Sequence, residues 1–357
     1  MDLTDDQILA LSEHREESWR YDLLNLQDQK IGQLDGVTGA TFEWSIFTDI
    51  RTSGSMDCVD PDIDWLSVRV QPWATVVAAG MELSWPVGVF IPATPGTQYS
   101  GAGKSQAIDL YDKLQILVDD KVENTYSVAA GTVVTTFIKT MLAGVGEVRD
   151  AITPSAATLR TSMVWEADTT KLKIINDLLA SINYFSLWVD GYGVFQGAPY
   201  VEPGSRGISW IFADGAQCIY SSDFFHNNDG FLVPNKVSLI STSDGETAAL
   251  TAQATNENPE SDYSYQKRGR WITTTEKDIE ASDQSTLNLM AQRRLIELSD
   301  VSSTYDISHA LIPLDLNAAV KFIRSTEGIL ETAVIQKMSF GTEVGGLVRT
   351  TIRAVAL

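Results

Sequence analysis

Apolar and polar positions alternate through the first quarter of the chain. In the run from Val37 to Phe47, Phe42, Trp44 and Ile46 fall at every second position, the period of a half-buried strand. Val68 and Val70 share a parity, and Met81 to Ile91 is rich in β-type residues. Prolines at 72, 86, 92 and 95 exclude long helices there. Turn signals stand at Leu34-Asp35-Gly36 and Asp60-Pro61-Asp62. The middle changes period. Val133, Val134, Phe137, Ile138, Met141 and Leu142 recur at helical spacing and stop at Gly144 and Gly146. Ile174, Ile175, Leu178, Leu179 and Ile182 form a second stripe, with Asp168 or Thr169 as candidate cap. Phe185, Leu187 and Val189 then alternate up to Asp190-Gly191-Tyr192-Gly193, with Val194 and Phe195 beyond, which predicts a hairpin. Strands are predicted again over 207–212, 236–241, 269–275, 305–311, 334–340 and 347–355. One helix over 282–298 interrupts them, with Leu287, Met290, Ala291, Leu295 and Leu298 on one face.

These periods divide the chain into an N-terminal arm (1–18), a β-rich region (19–108), an α/β module (109–205) and a second β-rich region (206–357). The fold class is α+β and β-rich, with the many short strands pointing to a sandwich or barrel. Thr4-Asp5-Asp6-Gln7 has the spacing of a capping box and predicts a short helix in the arm. The polar run 252–265 (AQATNENPESDYSY) is the candidate long loop. Both are exposed, polar candidates for contacts with partners.

Charge narrows the partners. The chain carries 26 Lys plus Arg against 47 Asp plus Glu, a formal net charge of −21. Such a surface repels phosphate backbones and argues against specific nucleic-acid binding. It fits either simple solubility or a conduit wall past which DNA slides without sticking. No stretch reaches the roughly 18 apolar residues of a membrane-spanning helix. The acidic start, MDLTDDQILALSEHREESWR, has neither the basic leader nor the apolar core of a secretion signal. Two distant cysteines, Cys58 and Cys218, read as buried, reduced thiols.

Candidate chemistry is sparse, and no catalytic, cofactor or metal residue is assigned. Gly101-Ala102-Gly103-Lys104-Ser105 ends like a phosphate loop, but Gln98 stands where the first glycine belongs, so a flexible linker is expected. His14, His226 and His309 show no zinc spacing. His226 lies near Asp223 and Asp229 in sequence, as a general base and its orienting carboxylate would, but a surface loop accounts for the same residues. Asp57, Asp60, Asp62 and Asp64 lack the order of a calcium loop and read as a solvated turn.

One arrangement carries a family resemblance. Lys171 to Tyr200 (KLKIINDLLASINYFSLWVDGYGVFQGAPY) is similar to a helix–strand–turn–strand segment of phage tail hub proteins. There Leu178, Leu179 and Ile182 would cover Phe185, Leu187 and Val194. Asn256 to Thr275, the helix that follows, and the closing pair of strands are also similar to that family. The resemblance implies two β-barrel-like tube domains (19–108 and 206–357) joined by the α/β module. It also implies a homotrimeric, pseudo-sixfold ring in the virion, made in the host cytoplasm and placed at the tail tip or baseplate. The partners it implies are a distal tail protein, a tape measure protein and tip or fibre proteins, with DNA in transit at genome ejection and no membrane insertion. Lytic or adhesive activity would belong to other proteins, so the chain is expected not to be an enzyme. Competing readings are another tail ring component such as a distal tail protein, a phage cell-wall hydrolase, and an adhesin suggested by nine Trp and eleven Tyr.

Overall fold

A computed structural model of the chain describes residues 3–93, 95–101, 103–228, 231–243, 248–300 and 303–355. Strands outweigh helices, and most join one 15-stranded sheet, mainly antiparallel. Its order runs Tyr220–Asn228, Ser303–His309, Val348–Ala354, Ile329–Gly341, Val37–Ser45, Thr52–Val59, Gly103–Asp112, Phe90–Pro92, Arg69–Ala78, Arg15–Leu24 and Lys30–Gln33. Ile208–Ala213 lies parallel to Ala319–Arg324 beside this path.

The sheet stays open, so the expected pair of barrels is not formed. The strand Ile329–Gly341 belongs to both β-rich regions. Ile329 to Val334 pair with Ala319–Arg324, whereas Lys337 to Gly341 pair with Val37–Ser45. A strand shared in this way fuses the two regions instead of letting each close on itself. The core is shared too: Phe42, fully buried, packs its ring at a tilt 5.4 Å from Phe340 and 5.6 Å from Phe90. Alternation explains its placement, since Ala40 and Phe42 point inward while Thr41 and Glu43 are exposed. Gly54 lets the next strand approach, because a Cβ there would lie 2.4 Å from the Thr41 carbonyl oxygen.

The capping box forms as the spacing predicts: Gln7 N donates to Thr4 Oγ1 and Thr4 N to Gln7 Oε1. Its helix, Asp5–Ala10, docks Ala10 and Leu11 into the chain's own core. Strand Arg15–Leu24 then begins within the expected arm. The module holds helices Val134–Gly144 and Lys171–Ser181, the latter capped by Thr170 rather than by Asp168 or Thr169. Its hairpin turns at Asp190, whose Oδ1 accepts from Tyr192 N and Val194 N. Leu178, Leu179, Ile182 and Leu187 share the module's core, but the inward residue of the return strand is Phe195 rather than Val194.

Lys236–Ser241 and Thr273–Ile279 do not join the large sheet. With Thr251–Thr255 they form a three-stranded sheet, and helix Gln284–Asp300 packs Leu287, Ala291 and Leu295 on it as a separate core. The expected loop 252–265 therefore shortens: its first residues are strand, and Tyr265–Arg268 is a helical turn capped by Gly269 at φ 60°. Among the described residues no helix is long and apolar enough to cross a membrane.

Candidate functional site

Two contrasting joints hold the α/β module to the large sheet. The first is a closed ring of four charges from four places in the sequence. Asp28 sits in the turn after strand Arg15–Leu24, Arg69 opens strand Arg69–Ala78, Lys113 follows strand Gly103–Asp112, and Glu147 follows helix Val134–Gly144. Arg69 reaches Asp28 Oδ1 and Glu147 Oε1 at 2.6 Å each; Lys113 Nζ reaches Asp28 Oδ2 at 2.7 Å and Glu147 Oε2 at 2.6 Å. The four side chains are at most 7% exposed. Lys113 also donates to the Gly193 carbonyl, and Arg149 braces Asp28 from the rim. Burial alone would raise the Asp28 carboxyl, but the hydrogen bonds and charges of Lys113 and Arg69 outweigh it and hold it below its usual range. Two acids matched to two bases leave no uncompensated charge, the condition under which buried ions are tolerated.

The second joint is a cleft of about 600 Å³ with Trp44, Arg51 and Val87 on the sheet side and Phe185, Trp188 and Val189 on the module side. At one wall Arg206 lies 5.2 Å from the Phe185 ring and Arg293 lies 4.5 Å from the Tyr200 ring. Arg206 also donates to the Asn317 carbonyl and Arg293 to the Tyr184 carbonyl, so these two cations tie sheet, module and helix Gln284–Asp300 together. Arg51 is different. Among the described residues its guanidinium makes one hydrogen bond, to the Ser186 carbonyl at 3.0 Å. Burial pulls its guanidinium down to about 10, against the attraction of Asp112. Asp112 is itself raised to about 6 by burial, despite donors from Thr52 and Leu114.

A third contact attaches the small three-stranded unit. Arg160 donates to Ser241 Oγ and to the Thr242 and Ala248 carbonyls, while Thr161 Oγ1 donates to Glu280.

The residues singled out by sequence do not converge. His14 is exposed, and His226 lies on strand Tyr220–Asn228 rather than in a loop. It stacks 4.3 Å from Tyr305 and hydrogen-bonds Ser303, not Asp223; Asp229 lies outside the described residues. His309 is fully buried and held at about 4 by burial. Its Nδ1 donates to the Ala310 carbonyl, which leaves Nε2 to accept from Thr350. The phosphate-loop look-alike is the hairpin between Thr97–Ser100 and Gly103–Asp112 rather than a linker, with Ala102 outside the described residues. Asp57, Asp60, Asp62 and Asp64 are exposed; Asp60 accepts from Lys104 N and Asp64 from Leu66 N, as turn carboxylates do. Cys58 is buried, whereas Cys218 is exposed. Among the described residues no group of three or more His, Cys, Asp or Glu could hold a metal ion.

No protein-family profile matches the sequence. No curated protein matches it either. Solved structures do match. A tail protein from Neisseria meningitidis MC58 superposes with a TM-score of 0.65 at 13% identity, covering 94% of this chain and 96% of that one. The 43 kDa tail protein of prophage MuSo2 from Shewanella oneidensis gives 0.61 at 14% identity over 94% and 98%. Prophage tail protein gp18 from Listeria monocytogenes EGD-e gives 0.56 at 12% identity over 94% and 95%. At such identities the likeness is one of fold, and along nearly its whole length this chain folds as phage tail proteins do.

Proposed function

We propose that the chain is a structural virion protein that forms a homotrimeric hub ring at the distal end of a phage tail. There it joins the tail tube to tip or fibre proteins, contacts the distal tail and tape measure proteins, and lines the path by which DNA leaves. The observation that carries this reading is the match in fold to the Neisseria tail protein across 94% of this chain and 96% of that one. On this reading residues 19–108 and 206–357 together supply the shared sheet that faces the tube, and the module 109–205 sits beside it.

Two features support the reading. The terminal strands Tyr220–Asn228 and Lys30–Gln33, each paired along one edge only among the described residues, lie at opposite ends of the sheet order, where head-to-tail contacts between copies can close a ring. The exposed face of the central strands is also suited to a conduit. One row across it reads Ser308, Arg349, Ser339, Glu43, Ser53 and Tyr111, and the next pairs Thr41, Ser55 and Asp109. Short hydroxyls with acids and bases interspersed offer DNA no continuous cationic track, and the overall charge of −21 opposes counterion-release binding. No catalytic step is assigned to the chain.

Light scattering and negative-stain electron microscopy of the purified chain test this. A trimer mass with threefold rings is expected. A monomer that neither assembles with tail proteins nor forms rings would contradict it, and a monomer that degrades peptidoglycan would replace it with the hydrolase reading.

A further inference from the structure

We infer that the cleft between the large sheet and the α/β module is a docking groove for an extended, apolar peptide segment of a partner protein that carries a carboxylate. Arg51 would take the carboxylate, and the free edge of strand Trp188–Val189 would take the backbone. This is independent of the hub assembly proposed above, since it concerns one chain and one ligand.

The argument for a carboxylate begins with donors. A guanidinium offers five N–H groups in a fork that matches a carboxylate. Arg51 uses one hydrogen bond, to a neutral carbonyl, and among the described residues no carboxylate lies within ion-pairing distance of it. In a chain with 26 basic residues against 47 acidic ones, a half-buried cation that feels Asp112 only at a distance and has no carboxylate in contact among the described residues stands out. Arg69, a few strands away, shows what matching looks like: it has two carboxylates at 2.6 Å. The acids that line the cleft do not serve Arg51. Asp190 is occupied by its own turn and by Gln196, and burial pushes the Asp315 carboxyl up. A second donor is also idle, because the indole N–H of Trp44 is buried with no hydrogen-bond partner among the described residues.

The argument for a peptide rests on the edge. Trp188–Val189 ends its three-stranded sheet: one side pairs with Phe195–Gly197, and among the described residues no strand pairs with the other, although the preceding Leu187 N–H already donates to Asn176 Oδ1. An edge strand inside a cleft lets an extended segment add main-chain hydrogen bonds while alternate side chains enter the groove. The volume of about 600 Å³ falls within the roughly 300–1,000 Å³ typical of ligand sites, enough for a few residues. Phe185 and Trp188 supply the apolar wall.

The test is calorimetric titration of the full chain with acetyl-Val-Glu-Val-Leu-amide and with its Gln counterpart. A charge-assisted pair predicts that the Glu peptide binds at least about tenfold more tightly. Arg51→Gln should bring that ratio to about one, and N-methylation of the peptide backbone should abolish binding. Equal affinity for the two peptides, no heat from either at millimolar concentration, or a preference that survives in natively folded Arg51→Gln would each overturn the proposal. The two peptide-side comparisons decide the matter even where the variant does not fold.

Discussion

Arg69 and Arg51 stand at two joints between the same pair of bodies, yet their surroundings differ in kind. Around Arg69 every charge has an opposite, Asp28 and Glu147 against Arg69 and Lys113, and the ring closes on itself. Around Arg51, among the described residues, one carbonyl accepts its hydrogen bond, and Asp112, whose charge attracts it from outside contact distance, is itself raised by burial. A closed ring has nothing left to offer a ligand and works as a lock. An open guanidinium beside an apolar cleft contributes little to folding and retains donors for something else. Compensation, rather than the mere presence of a buried cation, separates structure from recognition here.

The comparison breaks most visibly at the ring. Lys113→Met leaves Asp28 and Glu147 sharing Arg69, with Arg149 at the rim reaching only Asp28, so urea unfolding should show a loss of about 3–5 kcal/mol. Removing its partner as well, in Lys113→Met with Glu147→Leu, should cost clearly less than the sum of the single changes, because the second change removes a stranded charge. Additive costs would mean that the ring is not a coupled unit.

Proton linkage sharpens the contrast at intermediate size. Burial raises Asp112 from 3.8 to about 6, so the folded chain keeps a proton that the unfolded chain has released. Its contribution to stability therefore falls as pH rises from about 4 to about 6. Buried His309 acts in the opposite sense: lowered from 6.5 to about 4, it loses stability as pH falls through that window. Each group acting alone would change stability by about 1.4 kcal/mol per pH unit inside its window. Asp112→Asn should steepen the loss of stability on acidification, and His309→Gln should flatten or reverse it, as followed by urea midpoints at pH 4.5, 5.5 and 6.5. Identical slopes in both variants and the parent chain would remove the linkage.

The smallest effect belongs to Arg51→Met. With a single hydrogen bond at stake, the expected cost is about 1 kcal/mol or less by the same assay. A cost as large as that of Lys113→Met would mean Arg51 is a structural lock like Arg69, and the contrast between the joints would collapse.

Much of this molecule was legible in its sequence where periodicity is local. The capping box at Thr4 and Gln7, the alternation around Phe42, the stripe from Ile174 to Leu179 and the turn at Asp190 all formed as read. What stayed hidden depends on pairing between distant segments. Nothing local in Ile329–Gly341 says that its halves serve different partners, and the two barrels that the family resemblance implies are instead one open, shared sheet. Likewise the small sheet was merged into the second β-rich region, because a strand does not announce which sheet it joins. The joints left a faint trace at one place: Arg69 stands between Val68 and Val70, whereas Lys113 sits between Asp112 and Leu114. A lone base among apolar neighbours signals a buried charge, but not which acids, 78 residues apart in the case of Arg69 and Glu147, will meet it.

The most direct test of the central claim, that this chain sits at the distal end of a tail, is immunogold labelling of intact tails assembled with it. Antibody raised against the chain should place gold at the tip opposite the head, in a single cluster per tail. Gold distributed along the tube, at the head-proximal end, or absent from the particles would contradict the account.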